Sequence, residues 1–191
     1  MIHVGTELTP TVLRRTFGCF PDGVAAVCGS VDGVPVGLVV SSFTSVSLDP
    51  PLSSICMSNT SKTWPRLRSA GLLGISVLSE RQGTVCRQLS GDGKDRFTDV
   101  RWDTSRAGAI LIENAAAWME CTVEREMAAG DHQIVLLRVH AAQANPEIAP
   151  LVFQASRLRS LGPELVDSGR RADGSARVVD LIVQVVAASG S

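Results

Sequence analysis

The sequence predicts a mainly β protein, a closed or nearly closed antiparallel barrel with a few short helices. Three observations predict it: apolar β-prone runs recur at short spacing, hairpin signals such as Asp32-Gly33 and Ala129-Gly130-Asp131 separate them, and the stretches with helical spacing are short. At 191 residues, 45% of them apolar, the chain can bury a sizeable core. No stretch approaches the roughly 20 apolar residues of a membrane span. A net charge of -1 gives no broad electrostatic footprint for nucleic acid or a membrane surface.

Taken in order, Thr9-Pro10 reads as an N-cap and first helical position, opening a helix with Val12, Leu13, Thr16 and Phe17 on its apolar side. Phe20-Pro21-Asp22-Gly23 ends it. Gly23 to Ser30 and Pro35 to Ser42 form two strands about the Asp32-Gly33 turn, and Leu52 to Met57 reads as a third. Leu72 to Leu78 is a further strand, and Ser79-Glu80-Arg81-Gln82 opens a helix to about Leu89. Ser90 to Trp102 is polar and Gly-rich with isolated aromatics, the composition of a surface loop that can lie over a ligand. Phe97 and Trp102 would serve a lid or simply pin the loop. Residues 117 to 124 alternate apolar and polar, and His132 to Ala142 returns, placing His132 at a hairpin mouth. Leu151 to Phe153 forms a last short strand.

Two polar stretches carry the functional reading. After the run Val36 to Val40, Ser41, Ser42, Thr44, Ser45 and Ser47 make a hydroxyl-lined rim before Asp49-Pro50-Pro51, suited to a ligand rich in carbonyls and ring nitrogens. A loop that satisfies its own backbone would look the same. Ser58 to Thr63 then precedes a helix from Trp64 to Ala70. With Thr63 as cap, its N-terminus, Ser61 and the Lys62 ammonium could hold a phosphate, although an ordinary capped helix shares the pattern. Both rims follow strands, as if facing one ligand.

The five cysteines are odd in number, widely spaced and without a CxxC pair, which fits reduced thiols rather than disulfides or zinc. No metal is expected. The first residues lack a basic region followed by an apolar core, so a cytoplasmic location is expected. Residues 1–162 read as the barrel domain and 163–191 as a C-terminal extension. Its apolar run Val178 to Val186 would need a partner strand in its own barrel or in a second subunit.

FGCFPDGVAAV at Phe17 to Val27, SSFTSVSLDPPL at Ser41 to Leu52, Asp95-Arg96-Phe97 and Gly130-Asp131-His132 occur together at these spacings in one family. Over about Leu13 to Leu158, the chain resembles the flavin reductase-like, FMN-binding split-barrel proteins. These are known as the reductase partners of two-component flavin-dependent monooxygenases. The resemblance implies an antiparallel Greek-key split barrel and a homodimer with each flavin in a groove near the interface. It implies FMN or FAD as cofactor and NADH or NADPH as co-substrate, with reduced flavin diffusing to a partner monooxygenase.

By the same resemblance, Gly37, Val39, Ser41, Ser42, Phe43 and Thr44 would line the isoalloxazine, and Cys56 and Ser58 the ribityl and phosphate side. Ser61, Lys62 and Thr63 would hold the 5′-phosphate, and the loop from Gln88 to Lys94, including Gly91, would close over the flavin. His132 would contact the nicotinamide nucleotide, with Arg96 near the same face. No essential acid–base pair is expected, because flavin and nicotinamide carry the chemistry. The chain departs from the family pattern at Leu137, where relatives often have Gly, and at Ser156-Arg157-Leu158-Arg159, where a Gly-Arg-x-Tyr pattern is common. Two other readings stay open: a flavin-retaining enzyme of this fold acting on an organic substrate, and a non-catalytic flavin-binding or partner protein.

Overall fold

The structure, a computed structural model, describes residues 5–91 and 96–163. Thr9 opens α1 (Pro10–Phe17) from an extended backbone, its Oγ1 accepting from the Val12 N–H at 3.3 Å. None of the α1 residues is buried, so the expected apolar side of this helix does not face the core. The short β1 (Asp22–Gly23) precedes β2 (Ala25–Val31). Asp32 and Gly33, at φ 53° and 76°, turn β2 into β3 (Val34–Val40), the signature of a type I′ hairpin.

The hydroxyl stretch departs from the predicted rim. Thr44, Ser45 and Ser47 lie within a strand of their own, β4 (Thr44–Leu48), antiparallel to β5 (Pro51–Ser58). The alternation Thr44-Ser45-Val46-Ser47-Leu48 suits a mostly exposed edge strand, and the backbone edge of β5 supplies its hydrogen bonds. The helix expected over Trp64 to Ala70 is shorter, α2 (Trp64–Leu67) followed by a 3₁₀ turn over Arg68–Ala70. After β6 (Leu73–Val77), Ser79 and Gln82 form a reciprocal capping box, the Ser79 N–H donating to Gln82 Oε1 at 2.8 Å. A 3₁₀ turn then leads into α3 (Gly83–Leu89).

Trp102 ends the expected surface loop by starting β7 (Trp102–Thr104), which pairs with β8 (Ile110–Ile112). The longest strands are β9 (Ala117–Ala129) and β10 (His132–Ala144). Gly130 turns one into the other at φ 66°, as a type II′ hairpin requires at its first central position. The final hairpin joins β11 (Val152–Gln154) to β12 (Arg157–Arg159).

Seven strands form one antiparallel sheet in the order β3-β2-β6-β9-β10-β5-β4. Its two edge strands, β3 and β4, are consecutive in the chain and joined only by Ser41-Ser42-Phe43. The barrel is therefore split between them, and β1-β11-β12 and β7-β8 are small separate sheets. One core cluster includes Val27, Ile55, Leu73, Ile75, Val135 and Leu137, while Cys28, Leu78, Leu89, Ile110 and Ile112 pack a second with α3 and β8. Leu137, the departure on β10, is fully buried in the first cluster.

All five cysteines are free, and burial pushes the thiols of Cys28 and Cys121 up to about 12. Among the described residues, no helix is long and apolar enough to cross a membrane, and no group of His, Cys, Asp and Glu side chains is placed to hold a metal ion. The run Val178 to Val186 and its expected pairing lie outside the described residues.

Candidate functional site

The split in the barrel opens into a groove of about 530 Å³, with the end of β3 on one side and β5 and the loop after it on the other. Volume alone does not distinguish it, since an adjoining cavity reaches about 720 Å³. The donor set does. Hydroxyls of Ser41, Ser42, Ser58, Thr60, Ser61 and Thr63 line it together with the cations Lys62 and Arg96, and among the described residues no carboxylate does.

At one end, Ser42 closes the split. Its Oγ accepts from the Cys56 N–H at 2.9 Å and lies 3.3 Å from the Cys56 carbonyl, to which it donates. Cys56 lies beyond the reach of β4, which pairs with β5 only up to Ser54, so a side chain takes the place of a missing strand.

At the other end, the loop after β5 is tied down from several sides. Asn59 donates its N–H to Asp131 O at 3.0 Å and its Nδ2 to Gly130 O at 3.1 Å, joining this loop to the β9–β10 turn. Ser58 Oγ and Thr60 Oγ1 share a hydrogen bond of 2.9 Å. The buried Trp64 donates Nε1 to Glu126 Oε1 at 2.8 Å, and Glu126 pairs with Arg68 at 3.1 Å. Thr63 is the expected N-cap residue of α2, its carbonyl accepting from the Arg66 and Leu67 N–H groups, but its side chain makes no capping bond. The Trp64 N–H is taken by Ser61 Oγ at 3.1 Å, and Thr63 Oγ1 accepts from Arg96 Nη1 at 2.9 Å.

His132 opens β10 directly opposite Ser58 and lines the same groove. Its Nδ1 lies 2.7 Å from Asp131 Oδ1, and this hydrogen bond holds the Asp131 carboxyl below the usual carboxylate range. With Nδ1 engaged, Nε2 is the ring atom open to a ligand.

Val39, Ser41, Ser42, Cys56, Ser58, Ser61, Lys62, Thr63, Arg96 and His132 are thus gathered in one groove. Four sequence-assigned residues are not. Gly37 lies behind the wall, where a Cβ would stand 2.8 Å from Cys28 Sγ and 2.9 Å from Phe97 Cζ, so Gly is required for the close packing of Phe97. Phe43 packs against the barrel core, and Thr44 is exposed on β4. Gly91 follows α3 with its N–H on Gln88 O at 3.2 Å, and its neighbour Ser90 enters the groove instead. The part of the closing loop from Asp92 to Lys94 lies outside the described residues.

Phe97 anchors its segment rather than covering the groove, packing on the second core cluster edge-on to Trp102 with ring centroids 6.3 Å apart. Leu158 lines the adjoining cavity, not the groove, although Val39, Val40, Ser41 and Ser90 line both. Sequence reasoning gives Asn59, Thr60 and Ser90 no role of their own, although they fall in the polar stretch after β5 and in the loop expected to close over the flavin. Asn59 sits in a polar turn with no signal that it meets Gly130 and Asp131.

A split antiparallel barrel whose groove offers apolar strand residues, a hydroxyl rim and two cations defines a protein that holds a nucleotide bearing a flat ring system. These residues fit a flavin nucleotide: Val39 and Val40 suit the ring, the hydroxyls suit the ribityl chain, and Lys62, Thr63 and Arg96 suit a phosphate. The chain belongs to the flavin reductase-like domain family, whose model matches residues 17–162.

A probable flavin reductase from Rhizobium meliloti is 42% identical over 154 residues, which are 80% of this chain but 46% of that protein. The chain thus spans about half the length of that relative. The reductase subunit HsaB of a flavin-dependent monooxygenase from Rhodococcus jostii is 30% identical, over 82% of this chain and 80% of its own. Among solved structures, the NADH:FAD oxidoreductase SgcE6 of Streptomyces globisporus, in complex with NAD and FAD fragments, superimposes with a TM-score of 0.78. It is 36% identical over 85% of this chain and 100% of that one.

Proposed function

We propose that this chain is an NAD(P)H:flavin oxidoreductase that reduces FMN or FAD and supplies the reduced flavin, by diffusion, to a partner monooxygenase. The observation that carries this reading is the groove itself, where a cationic, hydroxyl-rich wall and His132 stand together with no carboxylate among the described lining residues. Bound flavin would supply the chemistry, accepting at N5 a hydride from C4 of the reduced nicotinamide.

The chain's own part is to bind and orient. Val39 and Val40 give the ring an apolar wall, the hydroxyls of Ser41 and Ser58 offer hydrogen bonds along it, and Lys62 and Thr63 anchor the phosphate end. His132 presents Nε2 to the nicotinamide nucleotide while Asp131 fixes the ring through Nδ1. No side chain has to move a proton at the reacting atoms. The open split suits release of product. A homodimer completes the reading, supported by the apolar side chains exposed between Leu8 and Phe20, and the cytoplasm is its proposed location.

The test is steady-state consumption of NADH, and separately NADPH, with added FMN or FAD, beside a His132→Ala variant. The expected result is turnover of free flavin, with the KM for the nicotinamide nucleotide raised about tenfold or more in the variant, the loss of one hydrogen bond to a charged group. Flavin binding without turnover on either nucleotide would overturn the reductase reading in favour of a flavin-binding partner protein. Flavin that stays bound through purification would favour an enzyme acting on an organic substrate.

A further inference from the structure

β10 has a partner on both sides for only part of its length. β9 accompanies it from His132 to Ala144, whereas β5 leaves it at Arg138. Past the bulge at His140, the residues Ala141, Ala142, Gln143 and Ala144 are exposed, and among the described residues no strand covers their outer edge. In an antiparallel ladder every second residue turns its N–H and C=O away from the neighbouring strand, so this edge presents unpaired backbone donors and acceptors. Edge strands are commonly blunted by Lys, Pro or an inward charge, and none of these stands in the stretch from Ala141 to Ala144.

Beside that edge lies a cleft of about 530 Å³, separate from the flavin groove, with β7 and β8 on one side and the far ends of β9 and β10 on the other. Trp118 donates Nε1 to Ile112 O at 2.7 Å, which fixes its indole against β8, and Leu111 and Met119 extend the apolar lining. Asp103, Glu113 and Glu120 line the cleft too, and among the described residues no Lys, Arg or His does. Apolar side chains beside carboxylates suit a long side chain with an apolar stem and a cationic tip, that is, Lys or Arg.

We infer that the free edge of β10 and this cleft form a docking site for an extended, basic segment of a partner protein, which adds a strand to β10 and places alternate Lys or Arg side chains in the cleft. Backbone pairing supplies the affinity and the cleft the selectivity. Charge complementarity favours such a partner over a second copy of this chain, which would bring the same carboxylates to the junction from both sides. Ala142 stands about 30 Å along the strand from His132, so a partner held here leaves the flavin groove open. The inference is independent of the flavin reading, and so is its test.

The probe is a synthetic heptapeptide of alternating Lys and Val with blocked ends, titrated into the full chain at physiological salt and followed by the amide resonances and amide exchange of Ala141 to Ala144. The peptide should bind and slow the exchange of alternate amides in this stretch. The same peptide N-methylated at every peptide bond keeps its charge but cannot pair, and should bind at least about tenfold more weakly. A peptide with Glu in place of Lys should not bind. Asp103→Lys/Glu113→Lys, a change at two exposed positions, should weaken the Lys peptide by about threefold to tenfold, while Glu7→Lys, outside the cleft, should leave it unchanged.

Equal affinity for the N-methylated or the Glu peptide would overturn the inference, as would an unchanged affinity in Asp103→Lys/Glu113→Lys or no binding of the Lys peptide at millimolar concentration. Protection of the Ala141 to Ala144 amides in the free chain would overturn it as well. If that protection grew with protein concentration, the edge would belong to a second copy; if it did not, the edge would have no place for a partner.

Discussion

Ser42 uses its hydroxyl in both senses on one neighbour, accepting from the Cys56 N–H and donating to the Cys56 carbonyl. Ser42→Ala should therefore cost about 1 kcal/mol in urea-induced unfolding, the lower part of the range for two bonds because water can reach Cys56. The Cys56 amide should also exchange with solvent faster in the variant. An unchanged midpoint with unchanged exchange would show that the bridge contributes nothing. The sequence marks Ser42 as polar and near a ligand, but its partner is 14 residues away on another strand. Thr63 teaches the same lesson. Thr63 sits at the N-cap of α2, but its side chain bonds to Arg96, 33 positions along the chain, and Ser61 takes the Trp64 N–H instead. By contrast, the assignment of Ser61, Lys62 and Thr63 to one wall needs only their adjacency after a strand, so it is legible.

The β9–β10 ribbon shows what an element adds to its residues. Register passes from Leu136 opposite Arg125 to Leu137 opposite Val123, and from Val139 opposite Cys121 to Ala141 opposite Glu120, leaving Glu124 and His140 as the extra residues of two bulges. Both meet groups on the partner strand: Glu124 takes the Arg138 guanidinium in a forked pair at 2.9 and 3.2 Å, and His140 Nε2 lies 2.8 Å from Thr122 Oγ1. The Arg138 hydrogen bonds hold the Glu124 carboxyl below its usual range.

A lowered folded-state pKa means that this pair's contribution is fully present above the ordinary glutamate pKa and is lost as pH falls through the lowered value. The difference in melting temperature between wild type and Glu124→Gln should accordingly be level from neutral pH to the ordinary range and vanish below it. It should shrink in high salt, since the pair is partly exposed. A difference independent of pH would assign the effect to packing. Apolar alternation reveals β9 and β10 as strands, yet a bulge leaves no mark in it. The β11–β12 turn is hidden for a different reason: Ala155 and Ser156 adopt φ 49° and 61°, where a reader looks for Gly or Asn.

At the scale of the molecule, barrel class follows from strand number and hairpin signals, but the strand order does not, because within the described seven-stranded sheet only β2–β3, β4–β5 and β9–β10 pair along consecutive chain. The contact of β10 with β5 brings His132 beside Ser58 and makes one groove of two distant motifs. The proposed homodimer belongs to the same scale. Leu8, Phe17 and Phe20 are 68%, 67% and 71% exposed, more apolar surface than one short segment ordinarily leaves in water. Light scattering should find a dimer for the wild type and a monomer for Phe17→Ser/Phe20→Ser. A monomeric wild type would remove the homodimer from the proposal. The seam between β3 and β4, finally, decides where the molecule yields first. A ladder of backbone bonds gives way only as a whole, whereas a junction whose polar bridges, among the described residues, come from side chains such as Ser42 and Arg96 can part while the seven-stranded sheet stays intact. Heat or pressure should thus slacken the binding face well before it melts the core, and the loss of ligand would precede the loss of fold.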